Sequence, residues 1–151
     1  MPKASIKRLI GCKKNQLIDL VLDIEKYPEF VPFCLDAHVY ERNRDGDLTL
    51  ILADLTIGKG PIKDTYKSDV KFNKKNSSIK VTNIGGPLNY LQNTWHFNEH
   101  ENGTEICFDI DFEIENKFLN IVMTKSFQFG LDKIADAFQK RAENLFHNSK
   151  N

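Results

Sequence analysis

The stretch "TEICFDIDFEIENKFLNIVMTKSFQFGLDKIADAFQKRAENLFH", residues 104 to 147, changes its period in the middle. Phe108, Ile110, Phe112 and Ile114 alternate with Asp109, Asp111, Glu113 and Glu115, the pattern of a strand with one face on a core and an acidic face in water. Beyond Asn116, a residue suited to capping, Phe127, Leu131, Ile134, Ala135, Phe138, Ala142 and Leu145 fall at i, i+4, i+7, i+8, i+11, i+15 and i+18. That spacing predicts one amphipathic helix of about 30 residues, which at 1.5 Å per residue reaches about 45 Å. Gly130 inside it costs about 1 kcal/mol relative to alanine and marks a mild break or a close approach.

Towards the N-terminus the period stays at two. "DLTLILADLTI" (47 to 57), "DTYKSDVKF" (64 to 72), "SSIKVTNI" (77 to 84) and "LNYLQNTWHF" (88 to 97) read as strands. Turn chemistry separates them at Asp45-Gly46, Gly58 to Pro61, Asn76 to Ser78, Gly85 to Pro87 and Asn102-Gly103. Short connections imply hairpins and an antiparallel meander. Residues 3 to 10 predict a first strand. Residues 14 to 27 predict a helix capped by Asn15, with Leu17, Leu20, Val21 and Ile24 on its buried side. Pro28 and Pro32 then bracket a second, very short helical or turn segment, because each lacks an amide donor and pushes its predecessor towards extended geometry.

The predicted class is therefore α+β: a curved antiparallel sheet of six to seven strands around a long C-terminal helix, with two short helices after strand 1. At 151 residues the chain is expected to form one domain. Lys plus Arg and Asp plus Glu number 21 each, so no global field draws it to DNA or an anionic membrane. No apolar run is long enough to span a bilayer, and the N-terminus lacks the pattern of a secretion signal, so a cytoplasmic location is expected. Cys12, Cys34 and Cys107 lack the paired spacing of a disulfide framework or zinc site and read as reduced thiols.

Catalytic groupings are scarce. His38, His96, His100 and His147 lie in separate segments, and alternation puts His96 on the opposite face from Trp95. No metal site, catalytic set or covalent cofactor is expected. Gly85-Gly86-Pro87 is too short for a phosphate loop, and Cys34 has no neighbouring base to make it a nucleophile. Lys63, Lys67 and Lys71 recur at even spacing and can share one sheet face, as a solvated surface or as a local patch for phosphate groups of lipid or ribosomal RNA. Tyr27, Pro28, Phe30, Val31, Pro32 and Phe33 form either an apolar gate to an interior cavity or a staple between helix and sheet. Both readings stay open here. The stripe Phe127, Leu131, Ile134 and Phe138 is wide enough to line a pocket, though a stripe at this spacing is plain core in most proteins.

"YPEFVPFC" (27 to 34), "GPLNYLQNTWHF" (86 to 97), "CFDIDFEIEN" (107 to 116) and "AFQKRAENLF" (137 to 146) resemble, in this order, the signature segments of the coenzyme Q-binding START-domain family. That family sits among the polyketide cyclase-like, helix-grip proteins and includes bacterial ribosome-association toxins. Phe33 departs from the tryptophan more usual at its place, and "GKGPIKDTYKS" (58 to 68) matches loosely. The resemblance implies a sheet gripping the last helix around a lipid-sized cavity, with Tyr27, Phe30, Val31, Phe33, Leu88, Leu91, Trp95, Phe127, Leu131, Ile134 and Phe138 as ligand contacts. It implies a non-enzymatic binder of ubiquinone or a related isoprenoid, acting as a chaperone or carrier for respiratory electron transport. Transient contact with a membrane surface, peripheral to the inner membrane, follows from that role. The alternatives are a toxin that binds the large ribosomal subunit and blocks subunit joining, and, more weakly, a polyketide cyclase-like enzyme.

Overall fold

The structure, a computed structural model, describes the backbone of residues 3–59, 62–85, 88–114 and 117–146 and the side chains of residues 5–58, 63, 65–83, 92–111 and 131–146. Strand β1 (Lys3–Ile10) is followed by α1 (Lys14–Leu22) and a 3-10 helix (Ile24–Glu29). Six strands come next: β2 (Cys34–Asp45), β3 (Leu48–Lys59), β4 (Ile62–Asn73), β5 (Ser78–Gly85), β6 (Leu88–His100) and β7 (Gly103–Ile114). Helix α2 (Lys117–Phe146) ends the described chain at 30 residues.

All pairings are antiparallel, and the strand order is β1-β7-β6-β5-β4-β3-β2. Strands 2 to 7 are thus a run of hairpins, as their short turns dictate, and β1 adds to the far side of β7. The first two strands are the opposite edges of the sheet, so α1 and the 3-10 helix must carry the chain from one edge to the other. They do so across the inner face, where Leu17, Ile18, Leu20, Val21 and Ile24 are buried in the core. The sheet curves around α2 in the helix-grip arrangement.

Register assigns every strand residue to a face. On the inner face Ile10, Ile106, Phe97, Ile79, Val70 and Ile51 are nearly fully buried, joined by Trp95, Phe108 and Ala53. Burying each large side chain contributes about 1.5–3 kcal/mol, so this layer supplies most of the sheet's hold on the helices. A bulge in β2 between Val39 and Glu41 changes which residues face in: Val39 opposes Ala53, and Arg42, not Glu41, opposes Ile51. Arg42 consequently reaches the crossover, where its guanidinium donates to the Leu22 carbonyl at 3.2 Å and the Glu25 carboxylate at 2.5 Å.

Three local expectations are corrected. Helix α1 starts after Lys13, whose backbone N–H donates to Gln16 Oε1 at 3.0 Å, so the cap is Lys13 and Asn15 lies inside the helix. The helical period continues through Ile24, yet the helix stops at Asp23, whose backbone (φ −84°, ψ 64°) leaves the helical region. The 3-10 helix then contains Pro28 instead of starting after it. The capping role expected of Asn116 falls outside the described residues.

Candidate ligand site

Helix α2 is fixed on the sheet from two sides. From the β1 edge the inward-facing Arg8 donates to Asp136 at 2.5 Å and to Gln139 at 3.2 Å. From the crossover side Arg141 meets Glu29 at 2.9 Å and stands 5.0 Å above the Phe30 ring. The Arg141 hydrogen bond is the main cause that holds the Glu29 carboxyl below its ordinary range.

Between these ties lies an aromatic cluster centred on Phe138. Its ring meets Tyr27 at 5.5 Å, Phe30 at 5.1 Å and Trp95 at 5.3 Å between centroids, each edge to face. Trp95 in turn meets Phe108 at 4.6 Å. Tyr27 donates its hydroxyl to the Val21 carbonyl. Tyr27 and Phe30 therefore staple the proline segment to α2. Val31 is half-buried and packs against the same core. Phe33 does not join the cluster: it is 37% exposed and holds a left-handed backbone (φ 69°), a conformation that costs a non-glycine residue about 1–2 kcal/mol. The Gly58 N–H donates to its carbonyl at 2.9 Å and ties it to β3.

The space left at this end is small. An apolar void of about 30 Å³ lies among Ile6, Trp95, Ile106, Phe108, Leu131, Ile134 and Phe138. Ligand pockets run to hundreds of cubic ångströms, so Leu131, Ile134, Phe138 and Trp95 form a packed floor here and not the walls of an open chamber. A larger depression of about 540 Å³ opens between α1 and β2 to β4, but Asp19, Asp23, Glu25, Arg42 and Arg44 rim it, which makes it unsuited to a hydrocarbon.

One step along the strands from the Trp95 layer the inner face changes character. Leu55, Val81, Asn93 and Ile110 face inward by register yet keep part of their surface accessible. Asn93 sits opposite Val81 and Ile110. Its Oδ1 is buried and has no hydrogen-bond partner among the described residues. A buried acceptor left unpaired costs about 1–3 kcal/mol. Asn83 on β5 lies diagonal to Asn93, and Ser68 on β4 lies opposite Asn83, so the layer combines apolar and amide surface. Sequence reasoning used alternation to put His96 on the opposite face from Trp95 and did not extend it to Asn93, which is the signal that finds it. The side chains of Leu88, Leu91 and Phe127, also expected as contacts, lie outside the described residues.

On the outer face Lys63, Lys67 and Lys71 do share one row, opposite Gly58, Asp54 and Leu50. Lys71 also faces Lys80 directly across the β4–β5 pair, while Asp69 stands between Lys67 and Lys71. Lys67 Nζ lies 5.1 Å from the centroid of the Tyr40 ring, whose hydroxyl donates to Asp54. His96 is exposed on this outer face. Among the described residues no three His, Cys, Asp or Glu side chains gather as a metal site, and no helix is long and apolar enough to cross a membrane.

The Cys34 thiol and the Tyr27 phenol are both held neutral by their surroundings. Burial, with the nearby Asp36 carboxylate, pushes the Cys34 thiol up to about 11, and burial drives the Tyr27 phenol well above its ordinary range. Both shifts keep the neutral form in the folded state. Their stabilisation is complete below the unfolded-state values of 9.0 and 10.0 and is lost as pH rises through the higher folded values. Thermal stability is therefore expected to fall from about pH 9 upward. Tyr27→Phe should flatten the decline, at a cost near neutrality of about 1 kcal/mol for the lost hydrogen bond; melting curves from pH 7 to 11 check both.

Comparison with known proteins agrees with this geometry. Residues 11–139 match the family described as polyketide cyclase / dehydrase and lipid transport. The chain is 30% identical over 141 residues to a Rickettsia prowazekii protein named ribosome association toxin RatA, covering 91% of this chain and 94% of that one. It is 32% identical over 138 residues to the mitochondrial coenzyme Q-binding protein COQ10 of Dictyostelium discoideum, covering 89% of this chain and 66% of the other. A START superfamily protein from Mycobacterium smegmatis superposes with a TM-score of 0.79 over 95% of this chain and 98% of its own, at 17% identity. A match that runs through the crossover helices, the hairpins and most of α2 covers the framework that holds the inner face apart from β1, and on that ground the chain belongs to the polyketide cyclase / dehydrase and lipid transport family.

Proposed function

We propose that the protein binds an apolar small molecule, ubiquinone or a related isoprenoid lipid, on the inner face of the sheet beneath α2, and acts as a carrier or chaperone and not as an enzyme. The observation that carries the reading is the partly accessible inner layer of Leu55, Val81, Asn93 and Ile110, next to the packed Trp95–Phe138 floor. Core residues at such positions are normally sealed, and a layer that keeps its surface on the helix side is what a ligand can cover. The likeness to a protein named as coenzyme Q-binding supports the choice of quinone. Among the described residues no base or nucleophile with an activating partner faces inward, which favours binding over catalysis. Its place of work is then the cytoplasm, with transient contact at a membrane surface where such ligands reside. Solvent extraction of the purified protein followed by mass spectrometry tests the proposal. A quinone or prenyl lipid at near one equivalent is expected, and protein that arrives empty and stays empty after incubation with ubiquinone-containing vesicles contradicts it.

A second reading has its own observation. Lys71 and Lys80 sit directly opposite each other, a pairing that costs folding energy, with Lys63 and Lys67 in the same β4 row. Such a patch suits phosphate groups, and a relative is named as a ribosome association toxin. Sedimentation of extracts decides it: added protein should raise free subunits at the expense of monosomes, Lys71→Glu with Lys80→Glu should abolish the effect, and an unchanged profile ends the reading.

A further inference from the structure

The inner wall is selective for more than oiliness. We propose that the Asn93 amide recognises a hydroxyl on the bound molecule, so that the preferred ligand is an amphipathic ring or chain bearing a hydrogen-bond donor and not a plain hydrocarbon. The inference rests on the binding reading above and adds the chemical feature that orients the ligand: an oxidised quinone ring offers only acceptors, so within that reading the hydroquinone form or a prenyl alcohol is the preferred occupant.

Asn93 occupies the third position of a row on β6, in line with Trp95 and Phe97, whose side chains are buried against Phe108, Ile106 and Phe138. Its cross-strand neighbours on this face, Val81 and Ile110, are apolar and offer it no hydrogen bond. Among the described residues the buried Oδ1 has no donor to accept from. An asparagine at a sheet position favours neither the strand nor the burial, since strands prefer β-branched and aromatic residues. Folding alone would be served better by leucine or valine. A buried amide oxygen that opposes stability, on a side chain that is otherwise only half-buried, is the pattern of a group whose partner arrives with the ligand. Asn83, partly accessible on β5, continues polar surface beside it, so a ring with a second polar substituent finds it on that side, while its apolar body rests against Val81 and Ile110.

A matched pair of probes tests this: a long-chain alkyl phenol and its methyl ether, which share shape and oiliness and differ in one O–H donor. Competition against a fluorescent fatty probe should show the delipidated wild type preferring the phenol by about tenfold, the worth of one well-made hydrogen bond in a dry site. In Asn93→Leu the preference for phenol over ether should fall to about onefold, whatever the absolute affinities, with a melting temperature equal to or above that of wild type. Asn93→Val serves as a second variant with the same expectation. Equal binding of phenol and ether by wild type, or an unchanged preference in both variants, overturns the assignment while leaving apolar binding intact. Variants that melt lower than wild type or fail to fold also overturn it, because they show the amide to have an internal structural partner. Wild type that binds neither probe removes the binding reading itself.

Discussion

Replacing Gly103 with alanine is expected to cost about 4 kcal/mol of stability, summing overpacking and backbone strain. Gly103 opens β7 with φ +138°, a region that side-chain-bearing residues avoid. A Cβ there would lie 2.1 Å from the Ile10 carbonyl oxygen, 2.8 Å from the Gly11 Cα and 2.9 Å from the Ile10 carbonyl carbon. These are backbone atoms in a tight corner. Ile10 O already accepts from the Cys12 N–H at 2.7 Å, and the buried Thr104 hydroxyl donates to Cys12 O at 2.9 Å. Relief requires β1 to move away from β7, which loosens the Ile10–Thr104 end of their pairing. The melting temperature should drop by about 10 °C. Gly46→Ala is the control: φ is +60° there, but nothing lies within 4 Å, so the loss should stay at about 1 kcal/mol. Urea denaturation of the three proteins gives the comparison, and near-equal losses for the two alanine variants would refute the close approach.

Phe138→Ala should be comparably severe, at about 4 kcal/mol. The ring is 5% exposed and makes edge-to-face contact with Tyr27, Phe30 and Trp95 at once. Its loss removes the hydrophobic transfer energy, three aromatic contacts and the peg that holds the proline segment to α2. The hole would merge with the neighbouring void of about 30 Å³ beside Trp95, so the variant should gain affinity for small apolar molecules while losing stability. Calorimetry with and without added benzene reads both effects. A loss under about 1 kcal/mol would mean that the floor is not packed as described.

Much of this architecture is readable from residue order because two periods do most of the specifying. Alternation through β2 to β7 defines strands whose short turns leave only hairpins, and the stripe from Leu131 to Ala142 defines the helix they curve around. The sharing of one face by Lys63, Lys67 and Lys71 follows from the same alternation. What escapes a linear reading depends on contacts distant in sequence. Gly103 is legible as a turn residue, but its crowding by Ile10 arises only when β1 docks on β7. The stop at Asp23 is hidden because Ile24 continues the helical spacing while serving the 3-10 turn. The bulge near Tyr40 shifts Arg42 inward without any glycine or proline to announce it. For the proline segment, residue types permit gate and staple alike; packing of Tyr27 and Phe30 on Phe138 is decided by where α2 lies, 110 residues or so further on.

Trp95 is the only tryptophan in the chain and belongs to the inner face beside Asn93, so its emission reports directly on whether a molecule enters there. Quinone rings quench indole fluorescence on contact. Titration of delipidated protein with a short-chain ubiquinone should give quenching that saturates at about one equivalent per chain, and that an excess of a non-quenching prenyl alcohol reverses. Quenching that rises linearly without saturation, as for free tryptophan in solution, would contradict an interior ligand site.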